Sequence, residues 1–343
     1  MTVNELDTEN AALRRKIMGY ITSQAIFAMS TLGLADLLGD EPATAVDLAA
    51  AAGADADALQ RFLRVLAAEG LFVESPPGTF ALTPMGGLLR SDVPGSLRHF
   101  CSLMAGEAYT AWSGAAHSLR TGGPAFDAVF GQPYFEWLAE HPAASARFDR
   151  AQAGLVVLRL RPLLNRDWTG VRTVVDVGAG NGQLLTSLLA EWTHLRGVLF
   201  DLPHVVAGAA HVLREAGLAA RCRCVGGDFF RDMPTGGDVY VLAQILHDWD
   251  DDHAVAILRQ CRGAMDADGR LLILEHVVHE DGQPHPAKML DLHMLVMLGG
   301  RERTETAWRE LLARGGFAAV DISHSARSSL IEARPDRTDM ELV

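Results

Sequence analysis

The sequence predicts an α/β protein in which a parallel, Rossmann-like sheet follows a smaller, mostly helical N-terminal domain. Three observations carry this prediction. An apolar, β-branched run at 174–177 breaks into alternating glycines and is followed by helical spacing. Four further short apolar runs lie between 197 and 274, each ending in glycine or polar residues. The length of 343 residues is also too great for one average domain.

The segment 174–182, with the sequence VVDVGAGNG, predicts a strand, a tight loop and the start of a helix. Glycines permit positive φ and let backbone amides approach a ligand, while a helix start offers unpaired N–H groups. The order G-x-G-x-G differs from the G-x-G-x-x-G of dinucleotide sites, because Gln183 stands where the third glycine would fall. Acidic residues on both sides favour a ligand with hydroxyls and a cation over a pyrophosphate.

Polar residues follow the predicted strands at their carboxyl ends, where open α/β sheets bind ligands. The second strand, 197–200, ends in Asp201, 23 positions after Gly178, about where a carboxylate accepts ribose hydroxyls in such folds. The third, fourth and fifth strands are predicted at 221–225, 238–242 and 270–274. The later polar segments, including one that follows a Met-rich helix, are GGDFF at 226–230, ILHDWD at 245–250, Glu275 and GGRERT at 299–304.

Composition excludes several classes of partner. The net charge of −13 argues against nucleic acid or an anionic membrane as a partner. No signal peptide opens the sequence, and no apolar run approaches the roughly 18 residues needed to span a bilayer, so we expect a cytoplasmic protein. The four cysteines are expected to be reduced. We do not expect a zinc site at the C-x-C pair 222–224, because no second ligand pair lies at zinc-site spacing.

The first hundred residues predict a winged-helix domain. Helices are predicted at 45–52 and 58–69, followed by a β-wing of two strands around the turn 75–78. The ordinary function of such a domain is DNA binding, but residues 36–69 contain seven acidic and two basic side chains, which would repel phosphates. One apolar helix, predicted from Leu13 to Leu32, indicates burial against another subunit.

The predicted boundaries divide the chain into three parts. Residues 1–100 form the winged-helix-like domain, and residues 166–343 form the Rossmann-like domain with the sheet. Residues 101–165 are helical and rich in aromatic side chains, so we expect them to link the domains and to wall a substrate cavity. Ordinary core packing is the alternative role for those aromatic residues.

The ordered motifs VDVGAGNG, FDLPHV, GGDFF, LHDWDDDH and GGRERT resemble those of the two-domain S-adenosylmethionine-dependent O-methyltransferases. That family methylates plant phenylpropanoids and bacterial polyketides or other aromatic natural products, and the resemblance extends over nearly the whole chain. It implies S-adenosylmethionine as cofactor, S-adenosylhomocysteine as product, and no metal. It also implies a small aromatic acceptor and a homodimer formed through the N-terminal domain.

His247 is the candidate general base. A phenol titrates near about 10 and is a poor nucleophile at neutral pH, whereas a neutral imidazole can accept its proton. The resemblance implies that Glu275 and Glu302 flank this ring, and a carboxylate beside an imidazole fixes its tautomer and favours the imidazolium. The alternatives are an exposed strand end for Glu275 and an ion pair with Arg301 or Arg303 for Glu302.

The resemblance also implies a cofactor-binding set along the strand ends. Carboxylates accept hydrogen bonds from hydroxyls and amines, and an aromatic residue packs on a purine. One position departs from the family, because many relatives have Lys or Ser where this chain has Ala243. The cofactor-binding candidates are Asp176, Gly178 and Gly180 for the methionine end, Asp201 with Leu202 for the ribose, Asp228 with Phe229 for the adenine, and Ala243.

The resemblance indicates substrate-contacting residues less directly than it indicates cofactor-binding residues. The candidates for the cavity are Asp248, His293, Met294 and Met297, with packing inside a helix as the alternative for the last three. Residues 250–252, three consecutive aspartates, are predicted to cap the following helix and oppose its dipole. A divalent metal held by Asp248, Asp250 and His253 is the alternative to that capping role.

The sequence therefore predicts methyl transfer from S-adenosylmethionine to a hydroxyl, expected to be phenolic, of a small aromatic natural product. Two alternatives stay open. The same fold serves N- or C-methylation, or hydroxylation or decarboxylation of polyketides, in related proteins. The second alternative is a non-enzymatic regulator built on the winged helix.

Overall fold

A computed structural model describes residues 3–325 and 328–336 of the chain. The chain forms two compact units. The first contains the chain up to Thr110 and the segment Ala143–Leu155, and the second contains Ala111–Pro142 and the chain from Val156 onward. Within the described residues, no helix is both long and apolar enough to cross a membrane.

The N-terminal unit has the predicted winged-helix pattern, with three short strands in the order β1-β3-β2. Thr44 and Asp55 cap α4 and α5, because each side chain accepts a hydrogen bond from the first turn of its helix. Leu63, Leu66 and Phe80 form the centre of its core. The elements are α1 (Val3–Ile17), α2 (Gly19–Thr31), α3 (Leu34–Leu38), β1 (Ala43–Thr44), α4 (Ala45–Ala52), α5 (Ala56–Ala68), β2 (Phe72–Glu74), β3 (Thr79–Leu82), α6 (Pro84–Gly87) and α7 (Arg98–Ala105).

The single apolar helix predicted from Leu13 to Leu32 is wrong in one respect, since the structure has two helices there. Helix α1 ends at Ile17 and α2 begins at Gly19. Glycine is a poor helix former, which explains the interruption at this point. The apolar side chains around the break are exposed, as expected for a surface that a second subunit would cover; they are Leu13, Ile17, Met18, Tyr20, Ile21 and Leu32.

A run of short helices connects this unit to the sheet. Helix α12 is the longest of them, and its residues belong in part to each compact unit. These helices are α8 (Glu107–Trp112), α9 (Ala115–Thr121), α10 (Ala125–Phe130), α11 (Tyr134–Glu140), α12 (Pro142–Arg159) and α13 (Arg161–Leu164).

The second unit is built on a seven-stranded sheet with the order β11-β12-β8-β7-β4-β5-β6. The five strands predicted from the sequence are confirmed. The elements are β4 (Thr173–Val177), α14 (Gln183–Glu191), β5 (Arg196–Asp201), α15 (Pro203–Glu215), β6 (Cys222–Gly226), β7 (Val239–Ala243), a 3₁₀ turn (Leu246–Asp248), α16 (Asp251–Ala264), β8 (Arg270–Glu275), β9 (Val277–Val278), α17 (Pro286–Leu298), β10 (Arg303–Thr304), α18 (Glu305–Arg314), β11 (Phe317–Ser323) and β12 (Ser329–Pro335).

Strands β4 to β8 pair in parallel, and β12 runs antiparallel to both β8 and β11. Two apolar clusters cover the sheet, one containing Val175, Tyr240 and Ile273 and the other containing Val174 and Val241. Neighbouring residues of one strand thus face opposite cores. The loops after β4 and β7, which are adjacent strands, therefore meet at one edge of the sheet.

The cysteines are free thiols, and Cys222 and Cys261 are buried. Burial raises the pKa of both thiols to about 12. Both thiols are therefore protonated at neutral pH and poorly reactive as nucleophiles.

Candidate active site

The turn that contains His247 is held by a buried carboxylate. Glu275, at the end of β8, is fully buried, and its Oε1 accepts hydrogen bonds from the backbone N–H groups of Ile245 (3.0 Å), Leu246 (2.9 Å) and His247 (3.3 Å). The side-chain amide of Gln244 donates to Oε2 at 3.0 Å. Glu275 therefore fixes the backbone of the turn, and the alternative of an exposed strand end is wrong.

The ring of His247 is buried and contacts three carboxylates. Its Nδ1 lies 2.7 Å from Oε1 of Glu302 and 3.7 Å from Oε2 of Glu275. Its Nε2 lies 3.3 Å from Oδ1 of Asp248. A carboxylate accepts hydrogen bonds, so Glu302 places a proton on Nδ1 and leaves Nε2 as the nitrogen that accepts a proton in the neutral ring.

Charge governs the protonation of this cluster. Burial lowers the pKa of His247, but the carboxylates of Glu275, Asp248 and Glu302 outweigh that effect and raise the pKa to about 10. Burial in turn raises the pKa of Asp248 to about 6 and that of Glu275 to about 7. These carboxylates therefore keep the imidazole protonated at neutral pH, and a cationic ligand nearby would favour release of the proton.

A close backbone approach brings Glu302 to the ring. A Cβ at Gly300 would lie 2.1 Å from the backbone oxygen of His247, so a larger residue would push the two loops apart. The N–H of Arg301 donates to that same oxygen at 2.9 Å, and the N–H of Glu302 donates to Oδ1 of Asp291 at 2.9 Å. Gly300 of the GGRERT segment thus lets the loop lie against the histidine turn.

The arginines beside Glu302 pair elsewhere. Arg301 and Arg303 both contact the carboxylate of Asp251, at 3.4 Å and 2.9 Å. Arg303 is buried and also donates to the backbone oxygens of Leu246 (2.8 Å) and Trp249 (2.9 Å). The alternative in which Glu302 forms an ion pair with these arginines is therefore wrong.

Sequence reasoning missed three supporting residues, which are Gln244, Asp291 and Arg303. Gln244 has a φ of 59°, a conformation uncommon outside glycine, and its amide bonds Glu275. Asp291 and Arg303 hold the loops on either side of the ring. The arginine lies in a quoted motif and could have been found there, whereas nothing in the sequence distinguishes Gln244 or Asp291.

The loop after β4 forms a glycine cradle. Gly178 has a φ of +70°, and a Cβ there would lie 2.3 Å from Cδ1 of Ile245. Gly180 has open space on its Cβ side, and its N–H donates to Oδ2 of Asp201 at 2.7 Å. The other oxygen of Asp201 accepts from the N–H of Leu202 at 2.6 Å. Four of the predicted cofactor-binding residues thus lie together.

Asp176 is buried beneath this cradle with 2% of its surface exposed. Its Oδ2 has no hydrogen-bond partner among the described residues. Burial, with the neighbouring charge of Asp201, raises its pKa to about 8. An orphaned carboxylate oxygen beside an open glycine cradle fits a ligand that carries an ammonium or sulfonium group.

The remaining cofactor-binding candidates lie at the next strand ends. Asp228 accepts from the N–H of Phe230 at 2.9 Å, and its other oxygen lies 3.6 Å from Nε of Arg231. Phe229 packs edge-on against Trp249 with 5.9 Å between ring centroids. Ala243 is the last residue of β7 and is partly buried.

The substrate candidates on α17 have different environments. His293 is buried, and its Nδ1 accepts a hydrogen bond from Nε1 of Trp112 at 3.2 Å. Burial lowers the pKa of His293 to about 4, so the ring is neutral and its Nε2 carries the proton. Met294 and Met297 are 7% and 3% exposed and pack as helix core.

The three aspartates after the histidine serve the helix, as predicted. Asp250 caps α16 by accepting from the N–H of His253 at 2.9 Å and lies 2.8 Å from its Nδ1. Asp251 pairs with the two arginines, and Asp252 pairs with Arg314 at 2.6 Å. Within the described ranges, the group whose ligand atoms converge as a metal would require is His247, Glu275 and Glu302, not the set containing Asp250 and His253.

Comparison with protein families shows the family of this chain. The O-methyltransferase domain model matches residues 112–318, and the O-methyltransferase dimerisation domain model matches residues 15–92. The chain belongs to the O-methyltransferase family. This S-adenosylmethionine-dependent O-methyltransferase thus has the predicted fold, and its dimerisation domain supports the predicted homodimer.

Curated relatives match along most of this methyltransferase. A phenazine O-methyltransferase of Lysobacter antibioticus is 44% identical, with 95% of this chain and 96% of the relative covered. An O-demethylpuromycin O-methyltransferase of Streptomyces alboniger is 42% identical, with coverage of 93% and 87%. An 8-amino-8-demethylriboflavin N,N-dimethyltransferase of Streptomyces davaonensis is 40% identical, with 87% of each chain covered.

Solved structures agree with these matches. The structure of LaPhzM superposes with a TM-score of 0.89 at 44% identity, covering 95% of this chain and 99% of the other. An O-methyltransferase from neocarzinostatin biosynthesis superposes with a TM-score of 0.80 at 36% identity, covering 92% and 96%. That structure contains S-adenosylmethionine and 2-hydroxy-5-methyl naphthoic acid. S-adenosylmethionine is thus supported as the cofactor of this methyltransferase.

Proposed function

We propose that this enzyme methylates a phenolic hydroxyl of a small aromatic natural product and that His247 is the general base. The observation that carries the proposal is the 2.7 Å contact between Nδ1 of His247 and Glu302, which leaves Nε2 to accept a proton. The aromatic compounds named for the relatives support the class of acceptor. S-adenosylmethionine, when bound, supplies an electrophilic methyl group on a sulfonium.

The residues around His247 have separate roles in the transfer of one proton. Glu302 holds the proton on Nδ1 and fixes the tautomer, and Glu275 fixes the backbone that carries the ring. The acceptor hydroxyl donates to Nε2 and passes its proton there as its oxygen becomes nucleophilic. The surrounding carboxylates stabilise the imidazolium that results, as a carboxylate does in other histidine-based sites.

The cradle and the neighbouring strand ends are proposed to hold the cofactor. Asp176 and the amides of the glycine loop fit its amino-acid end, and Asp201 fits hydroxyl groups because both of its oxygens are acceptors. Asp228 and Phe229 fit the edge and face of the adenine. Leu202 and Ala243 would complete the apolar wall of this site.

Replacement of the base tests the proposal. We expect His247→Ala to lower kcat by roughly 10² to 10⁴ while S-adenosylhomocysteine binds as in the native enzyme. His253→Ala is the matched control, because that histidine lies on the next helix with an exposed side chain. Turnover can be followed by mass spectrometry of the methylated acceptor. Unchanged turnover in His247→Ala would show that proximity alone drives transfer, and the base would have to be abandoned.

We also propose that transfer needs no divalent metal, because His247 with its carboxylates supplies the base that a metal would otherwise provide. Dialysis of the enzyme against EDTA should leave turnover unchanged. A loss of turnover that added Mg²⁺ restores would contradict this part of the proposal and would make the convergent group of His247, Glu275 and Glu302 the first place to look for the ion.

N-methylation is the second candidate, because one relative at 40% identity is named as an N,N-dimethyltransferase. A neutral aromatic amine is already nucleophilic and needs no base before attack, so the buried imidazole favours oxygen. Paired acceptors that differ only in hydroxyl or amine on one ring would separate the two. Faster methylation of the amine, insensitive to His247→Ala, would establish N-methylation instead.

A further inference from the structure

Gln244 combines two unfavourable features at the end of β7. Its φ of 59° makes it the one non-glycine residue with a positive φ in the part of the chain that the structure describes. Its side-chain oxygen, Oε1, is buried and accepts no hydrogen bond from any described residue. Such local strain is typical of functional sites, and the contacts of the side chain indicate what it serves here.

The amide nitrogen of Gln244 lies at the end of β8. Nε2 donates to the backbone oxygen of Leu274 at 3.0 Å and to Oε2 of Glu275 at 3.0 Å. The backbone N–H of Gln244 donates to the same oxygen of Leu274 at 3.0 Å. A reversed amide would place Oε1 against both acceptors, so these partners define the orientation of the amide. The oxygen is therefore left unpartnered because the nitrogen is aimed at Glu275.

The two oxygens of Glu275 have different surroundings. Oε1 accepts from the backbone N–H groups of residues 245–247, whereas Oε2 accepts from Gln244. Oε2 also lies 3.7 Å from Nδ1 of His247, which is longer than a hydrogen bond. Oε1 of Glu302 lies 2.7 Å from the same nitrogen. Glu275 thus offers Nδ1 a second carboxylate oxygen, and the amide of Gln244 engages that oxygen instead.

We propose that Gln244 is a positioning residue that holds Oε2 of Glu275 away from the ring, so that Nδ1 of His247 pairs with Glu302 alone. This role rests on the proposed function, because it concerns how the base is tuned. An N–H donor on a carboxylate stabilises the negative charge of that carboxylate. Gln244 therefore stabilises the state in which the cluster of Glu275, His247 and Glu302 has released its proton, without adding a charge.

Gln244 and Glu302 should affect the protonation of this cluster with opposite sign. Loss of the Gln244 amide removes a group that stabilises the deprotonated cluster, so His247 should retain its proton to higher pH. Loss of the Glu302 carboxylate removes a negative charge beside the ring, so His247 should release its proton at lower pH. This opposition distinguishes tuning of the base from a general loosening of the site.

Nuclear magnetic resonance of the imidazole tests this role without requiring turnover. The enzyme is labelled with nitrogen-15 histidine and saturated with S-adenosylhomocysteine, and the ring signals of His247 are assigned by their absence in His247→Ala. Gln244→Gly deletes the amide while glycine keeps the positive φ. In this variant the pKa of His247 should rise by roughly one pH unit. Gln244→Asn also tolerates a positive φ but has a shorter side chain, and it should raise the pKa in the same direction.

Gln283→Gly is the matched control, because Gln283 is exposed in a loop of the same unit. It should leave the pKa of His247 unchanged. An unchanged or lowered pKa of His247 in both Gln244 variants would overturn the proposal. Both variants should also bind S-adenosylhomocysteine with native affinity. Loss of that binding would mean that Gln244 maintains the fold of the site, which would equally overturn a tuning role.

The pH profile of turnover should show the same sign. With one acceptor used throughout, the acidic limb of kcat/KM in Gln244→Gly should move to higher pH, while the plateau above it falls no more than about threefold. An equal loss of kcat/KM at every pH, with the limb unmoved, would mean a purely structural role. Failure of the proposed function would appear separately, as unchanged turnover in His247→Ala, and the resonance titration does not depend on that result.

Discussion

Glu275 and Asp176 are both buried carboxylates at the end of a parallel strand, yet their surroundings differ. Glu275 is enclosed by N–H donors from the backbone and from Gln244. Asp176 leaves one oxygen without a partner among the described residues. A buried polar atom without a partner lowers the stability of the folded protein. Glu275 has all its partners within the protein, whereas Asp176 requires a ligand. Equal burial therefore accompanies two arrangements, since Glu275 holds a loop and, under the proposed function, Asp176 receives the cofactor.

The largest expected effect comes from Glu302, the carboxylate that contacts the ring on the turn held by Glu275. Glu302→Gln should lower kcat by roughly 10² to 10⁴, because the amide no longer fixes the tautomer of His247. The base acts only when neutral, and Glu302 helps to raise its pKa. The acidic limb of the profile of kcat/KM against pH should therefore move to lower pH in the variant. Glu310→Gln, at an exposed position, is the control, and a limb that stays fixed or moves to higher pH would contradict the assignment.

An intermediate effect is expected at Asp176, the carboxylate with one oxygen that has no partner among the described residues. Asp176→Asn should weaken binding of S-adenosylhomocysteine about tenfold, since a charged hydrogen bond is lost. The raised pKa of Asp176, about 8, means that native affinity should increase as the pH rises through that value and the carboxylate ionises. Calorimetry at several pH values would show a steeper dependence for the native enzyme than for the variant. Parallel curves would indicate that Asp176 does not contact the cofactor, and Asp232→Asn serves as the exposed control.

The smallest effect is expected at Trp112, which acts through His293. Trp112→Phe removes the N–H that fixes the His293 tautomer, so KM for the acceptor should rise a few-fold while kcat changes little. Trp137→Phe, in the aromatic cluster with Phe126 and Phe130, is the control for loss of an indole. A fall in kcat with KM unchanged would mean that His293 takes part in the proton transfer instead of contacting the acceptor.

Much of this site could be predicted because strand ends converge. The sequence places His247 and Glu275 after two strands that prove to be neighbours, and parallel strands bring their carboxyl ends to one edge. The loop with Glu302 was assigned by resemblance, and the structure supplies the reason in Gly300, where a side chain would collide with the His247 backbone. Residue type and order were therefore enough to identify the cluster.

Other features depend on contacts that no sequence pattern encodes. The partners of Glu275 are mainly backbone N–H groups, which every residue carries and which therefore leave no mark in the sequence. Strands β11 and β12 follow the last helix without a ligand-bearing end, and they were not predicted.

The contact between Nε2 of His247 and Asp248 has a consequence for repeated turnover. The side chain of Asp248 is 16% exposed and that of His247 is 8% exposed, so the aspartate lies nearer to water. The pKa of Asp248, about 6, lies below that of the imidazole, about 10, so the aspartate stays ionised and the proton stays on the ring. Release of that proton between cycles therefore requires a change of charge around the ring, such as the arrival of another sulfonium.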